Sequence, residues 1–127
     1  MQISCGFLGE LEKEARRMEV PIIRPAMQSL LKFLLTYTKP KSILEVGTAI
    51  GFSALLMSEY APADCHITTI EKYEKRIPIA RENFDKYGRE DKITLLVGFP
   101  CFSKCLKNAI LKSILCKVAD AIYGNTI

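Results

Sequence analysis

The sequence predicts an α/β protein, the N-terminal part of a doubly wound parallel sheet with three strands, flanked by N-terminal helices and a C-terminal amphipathic helix. Three observations carry this. Short strand-like runs at Ser42 to Val46, His66 to Ile70 and Ile93 to Val97 alternate with stretches of helical spacing. The links between them are short, which implies parallel pairing with right-handed crossovers. The first run ends in a two-glycine turn, Gly47-Thr-Ala-Ile-Gly51, that leads into a helical stretch.

Phe7 to Met18 opens the chain with Leu8, Leu11, Ala15 and Met18 spaced three to four apart, an amphipathic helix. Pro21 and Pro25 each disfavour helix in the residue before them, so Val20 to Pro25 is an extended connector, and Pro25 can begin a second helix. From Ala26 to Tyr37, Met27, Leu30, Leu31, Leu34 and Leu35 form one apolar stripe. The first strand and its turn follow, then a helix over Phe52 to Tyr60. The second strand ends at Glu71. A further helix carries Ile77, Ala80, Phe84 and Tyr87 on one face and stops at Gly88; because of Pro78 it starts near Lys75 or later. From Cys101 to Tyr123, Leu106, Ile110, Leu111, Ile114, Leu115, Val118 and Ile122 have helical spacing. The chain therefore divides into a helical segment (1–41), a ligand-binding sheet (42–98) and a helical tail (99–127).

Composition excludes several classes. With 127 residues, 49% hydrophobic and 25% charged, the chain is one globular domain. No apolar run approaches the ~18 residues of a membrane span, and Glu10, Glu12 and Glu14 make the first segment too charged for a secretory signal. Five cysteines (Cys5, Cys65, Cys101, Cys105, Cys116) have no CxxC spacing and accompany a single histidine, His66. Reduced thiols in a cytoplasmic protein are expected, and a zinc site at Cys101 and Cys105 is disfavoured. The net charge is +4, of which +3 lies beyond Gly98. The body is near neutral, and charge alone makes no case for nucleic acid.

The chemistry concentrates in Ile43-Leu-Glu-Val-Gly-Thr-Ala-Ile-Gly-Phe-Ser53, with Thr68-Thr-Ile-Glu71 downstream. A strand, a glycine turn and a helix place free backbone N–H groups at the carboxyl end of the sheet, where α/β folds bind ligands. Gly47 would let the backbone approach the ligand, and Gly51 would permit the tight turn or close helix packing. Ser53 could donate to a carboxylate at the helix start. Glu71 is placed to accept hydrogen bonds from ribose hydroxyls. The spacing Gly-x-x-x-Gly is neither Gly-x-Gly-x-x-Gly nor a P-loop, and Glu45 would repel phosphate but could pair with an amino group. An adenosine ligand without phosphate fits best. The plainer reading makes Gly47 and Gly51 turn residues and Glu71 a solvated strand end.

The stretch Ile-Leu-Glu-Val-Gly-Thr-Ala-Ile-Gly-Phe-Ser-Ala resembles motif I of the class I S-adenosylmethionine-dependent methyltransferases, which have a Rossmann-like sheet. More narrowly it resembles the catechol and caffeoyl-CoA O-methyltransferase family (O-methyltransferase family 3). Thr69-Ile70-Glu71 is similar to that family's second motif and Ala80-Arg-Glu-Asn-Phe84 to its following helix. Val20-Pro21-Ile22-Ile23 and the run to Ser53 are nearest the bacterial branch that methylates tRNA 5-hydroxyuridine. The resemblance covers roughly residues 8 to 98. It implies S-adenosylmethionine as cofactor, with Ser53 on the methionine carboxylate, Glu45 and Gly47 lining the amino-acid end, Glu71 on the ribose hydroxyls and Ile23 over the cofactor. Ala49, Phe52 and Lys72 complete the implied cofactor set. A tRNA or a small phenolic compound would be the methyl acceptor.

The departures are as specific. Where the family reads Gly-Asp-Ala, this chain has Gly98-Phe99-Pro100, and the only acid after Asp91 is Asp120. The resemblance implies Mg2+ for the intact family, but its ligands find no counterparts here. The expectation is a sequence truncated or frameshifted after residue 98, a cofactor-binding remnant with methyl transfer at least ~10³ below an intact relative. A third-second-first strand order would leave the first strand's outer edge open, predicting dimers, aggregates or coverage by the 101–123 helix.

Overall fold

A computed structural model describes residues 6–98. The elements run α1 (Phe7–Arg17), α2 (Pro25–Thr38), β1 (Ser42–Val46), α3 (Phe52–Tyr60), β2 (His66–Glu71), α4 (Ile77–Lys86) and β3 (Ile93–Val97). The tail helix expected over 101–123, Cys101 and Cys105 lie outside the described residues. Among the described residues no helix is long and apolar enough to cross a membrane.

Proline and glycine set the helix boundaries. Arg24 is extended and Pro25 occupies the first turn of α2, where its missing N–H costs nothing. Pro78 lies in the first turn of α4 on the same logic. Gly88, at φ +63°, follows the C-cap of α4, and the chain turns back with the Arg89 N–H on the Phe84 carbonyl at 2.9 Å. Two apolar positions depart from expectation. Met18 is the C-cap residue of α1, has left the helix and is 39% exposed. In α2 the buried stripe is Gln28, Leu31 and Leu35, while Leu30 is 47% exposed. Leu30 stands about 100° around the helix from Leu31, on a second apolar strip that it shares with Phe33.

The strands are all parallel, in the order β1-β2-β3, with Ile43, Ile67 and Ile93 in one row. Side chains alternate across a sheet, so this row marks one face. Leu8, Leu11 and Ala15 of α1, Leu31 and Leu35 of α2, Leu55 and Leu56 of α3 and Ala80 and Phe84 of α4 join that row in a single core. All four helices therefore pack on one face. The other presents Leu44 and Val46, both half-buried, and the exposed Leu96. Cys65 is a free thiol in the core, and burial pushes its pKa up.

Candidate functional site

The site lies at the carboxyl ends of β1 and β2, where the chain passes through Gly47–Gly51 into α3. The Gly47 N–H donates to the Ile70 carbonyl at 2.7 Å, and the Gly51 N–H closes the turn on the Thr48 carbonyl at 2.8 Å. Gly47 and Gly51 have φ of +85° and +93°, which favour glycine, while Ala49 takes the same region at +52° with a side chain. No side-chain hydrogen bond caps the N-terminus of α3.

Two carboxylates flank this turn. Glu71, 6% exposed, accepts the Ala49 N–H on Oε2 at 2.8 Å and the Lys72 and Tyr73 N–H groups on Oε1 at 3.0 and 2.9 Å. It is a clasp that joins the tip of β2 to the turn after β1, and the plainer reading of a solvated strand end does not describe it. Glu45 lies behind the turn, fully buried, where its carboxylate accepts the hydroxyls of Ser53 and Thr69, the latter at 2.7 Å. Paired negative charge disfavours phosphate and suits a ligand with hydroxyl and ammonium donors.

The turn is braced from α4. Asn83 Nδ2 donates to the Ile50 carbonyl at 2.8 Å, and a Cβ on Gly51 would stand 2.6 Å from Cε1 of Phe84. Both uses open to Gly51, the tight turn and close helix packing, are realised. Asn83→Ala is expected to cost about 1–3 kcal/mol in urea unfolding, because it leaves a buried carbonyl without its donor.

The structure thus brings Glu45, Gly47, Ala49, Gly51, Ser53 and Glu71 together around one turn. The Ile23 and Phe52 side chains are 1% and 2% exposed and pack in the hydrophobic core. The extended connector turns Ile23 inward, and its carbonyl accepts Gln28 Nε2 at 3.0 Å. Lys72 contributes its backbone N–H to Glu71, and its side chain is exposed. The single hydroxyl proton of Ser53 goes to Glu45 here, so serving a ligand carboxylate requires it to turn. Thr69, Asn83 and Phe84 were not among the expected site residues. Their partners are 24 or more residues away along the chain, within reach only after the strands and helices pack.

Thr48 Oγ1 is buried in the turn with no hydrogen-bond partner, an orphan of the kind that bound water or ligand satisfies. Among the described residues no group of three His, Cys, Asp or Glu side chains is arranged to hold a metal ion.

Comparison with known proteins agrees with this fold. The family model described as O-methyltransferase matches residues 5–115, a longer span than the 8–98 over which the sequence resemblance is read. The caffeoyl-CoA O-methyltransferase of Stellaria longipes is 33% identical over 93 residues, covering 72% of this chain and 39% of its own length. A protein-L-isoaspartate O-methyltransferase of Methanosarcina mazei is 27% identical over 109 residues, covering 76% of this chain and 45% of its own length. Among solved structures, the SAH-bound methyltransferase of Podospora anserina superposes with a TM-score of 0.68 at 30% identity, covering 83% of this chain and 46% of that one. The chain spans less than half the length of these relatives.

Proposed function

The chain belongs to the O-methyltransferase family, and from that premise we propose that it binds S-adenosylmethionine at the glycine turn and serves methyl transfer to an acceptor oxygen. The observation that carries this is the pair of carboxylates on either side of Gly47–Gly51, with Glu71 hydrogen-bonded to the turn itself. Glu71 would take the ribose hydroxyls. Glu45 would back the amino-acid end from behind the turn, Ser53 would turn to the methionine carboxylate, and Gly47 and Ala49 would let the backbone lie against the ligand. The donor set fits the group: the ribose hydroxyls meet the Glu71 carboxylate, no phosphate is required, and the orphaned Thr48 hydroxyl offers one more polar contact. When bound, the cofactor supplies an electrophilic methyl for in-line displacement, and the protein's part is to hold it in position.

The acceptor in this proposal is tRNA 5-hydroxyuridine, supported by the resemblance of Val20 to Ile23 and the run to Ser53. The Stellaria longipes relative supports a second reading, a phenolic hydroxyl. No step is assigned to a metal. His66 is no candidate base: it begins β2, at the end opposite Glu71, and shares a 2.7 Å hydrogen bond with Thr94. A cytoplasmic setting fits the free Cys65 thiol, and the outer edge of β1, unpaired among the described residues, supports a homodimer.

Single-turnover transfer of labelled methyl to hydroxyuridine-bearing tRNA and to a catechol, with and without magnesium, tests the transfer. We expect label on the tRNA at a rate on the order of 10³ below a full-length relative. Label on the catechol alone would select the phenolic reading. No label on either would withdraw transfer.

A further inference from the structure

We infer that Thr69 is a positioning residue for the amino-acid end of the cofactor, acting through Glu45 and Ser53; this rests on the cofactor reading above. Glu45 and Thr69 are partners across the β1–β2 pairing and stand side by side on the helix-covered face. Both are fully buried. The Glu45 carboxylate has two hydroxyl donors, Ser53 and Thr69, and forms no ion pair among the described residues.

The two donors are not equivalent. Thr69 sits in the second strand of a three-stranded sheet with no exposed surface, so its hydroxyl cannot reach a ligand. Ser53 sits in the first turn of α3, beside the glycine turn, and its single proton can go either to Glu45 or to a ligand carboxylate. If it goes to the ligand, Thr69 is the donor that keeps the buried Glu45 carboxylate satisfied. Without the Thr69 hydroxyl, a buried carboxylate would depend on Ser53 alone and hold it away from the ligand. Thr69 therefore releases Ser53 for binding and touches no ligand atom itself.

The test compares S-adenosylhomocysteine with 5′-methylthioadenosine, which shares the adenosine and thioether but lacks the amino-acid end. Calorimetric titrations use the full chain, its Thr69→Val variant, which keeps the side-chain shape and loses the donor, and Thr69→Ser, which restores it. In Thr69→Val we expect S-adenosylhomocysteine to bind about tenfold more weakly, with methylthioadenosine within about twofold of wild type. Thr69→Ser should return both ligands to wild-type affinity. Equal weakening of both ligands would assign Thr69 a merely structural role and overturn the inference, as would unchanged S-adenosylhomocysteine affinity. Should Thr69→Val fail to fold by thermal unfolding, Thr69→Cys, with a weak donor of similar size, must show the same selective loss or the inference fails. Wild-type protein that binds neither ligand would remove the cofactor reading and this inference together, whereas an unchanged ratio on a binding-competent wild type removes the inference alone.

Discussion

Gly51→Ala should lower the unfolding free energy by about 2–5 kcal/mol, the largest effect expected of any single methyl group in the site. Two costs combine. The backbone at Gly51 has φ +93°, a conformation that costs an L-residue roughly 1–2 kcal/mol. The added Cβ would also lie 2.6 Å from Phe84 Cε1 and 3.1 Å from its Cζ. Phe84 is 3% exposed in the core, so its ring has no free space to move into, and overpacking of this kind costs about 1–3 kcal/mol. A double-mutant cycle separates the two. Phe84→Leu in the Gly51→Ala background should recover the overpacking part and leave the backbone part. Strictly additive urea-unfolding energies would show that the ring and the turn are not in the contact described.

Glu71→Ala should act on binding and on the turn together. The carboxylate is the acceptor for the N–H groups of Ala49, Lys72 and Tyr73, and charge-assisted hydrogen bonds are worth roughly 1.5–3 kcal/mol each where they are not replaced by water. Part of that is recovered when water reaches the vacated amides, so a stability loss of about 1–3 kcal/mol is expected. With Glu71 as the ribose acceptor proposed above, affinity for S-adenosylhomocysteine should fall by about tenfold or more. The signature that separates the clasp from a distant packing defect is amide exchange. Exchange of the Ala49 N–H should accelerate in the variant, while amides of β1 and α2 keep their relative protection. Glu71→Gln, which retains one acceptor oxygen, should fall between wild type and Glu71→Ala in both measurements.

The strands and the glycine turn were legible because their signals are local. Each strand is a short run bounded by polar or turn residues, and Gly47 and Gly51 announce themselves by spacing. The same is true of Pro25 and Gly88, whose backbone restrictions act where they stand. What local pattern does not carry is which of two apolar strips on a helix faces inward. In α2 the strip of Leu31 and Leu35 is covered by the rest of the protein, and the strip of Leu30 and Phe33 is not. Nor does it carry strand register. Ser53 and Glu71 were readable as polar residues at the ligand end, but the meeting of Glu45 with Thr69 depends on a pairing 24 residues apart. The packing of Ile23 and Phe52 in the core likewise depends on partners that their local pattern does not name.

Titration of the full chain with S-adenosylhomocysteine and with ATP tests most directly the proposal that the glycine turn clasped by Glu71 holds an adenosine ligand without phosphate. Saturable binding of S-adenosylhomocysteine, displaced by S-adenosylmethionine and not by ATP, is the predicted result. No heat with S-adenosylhomocysteine, or tighter binding of ATP, would contradict it.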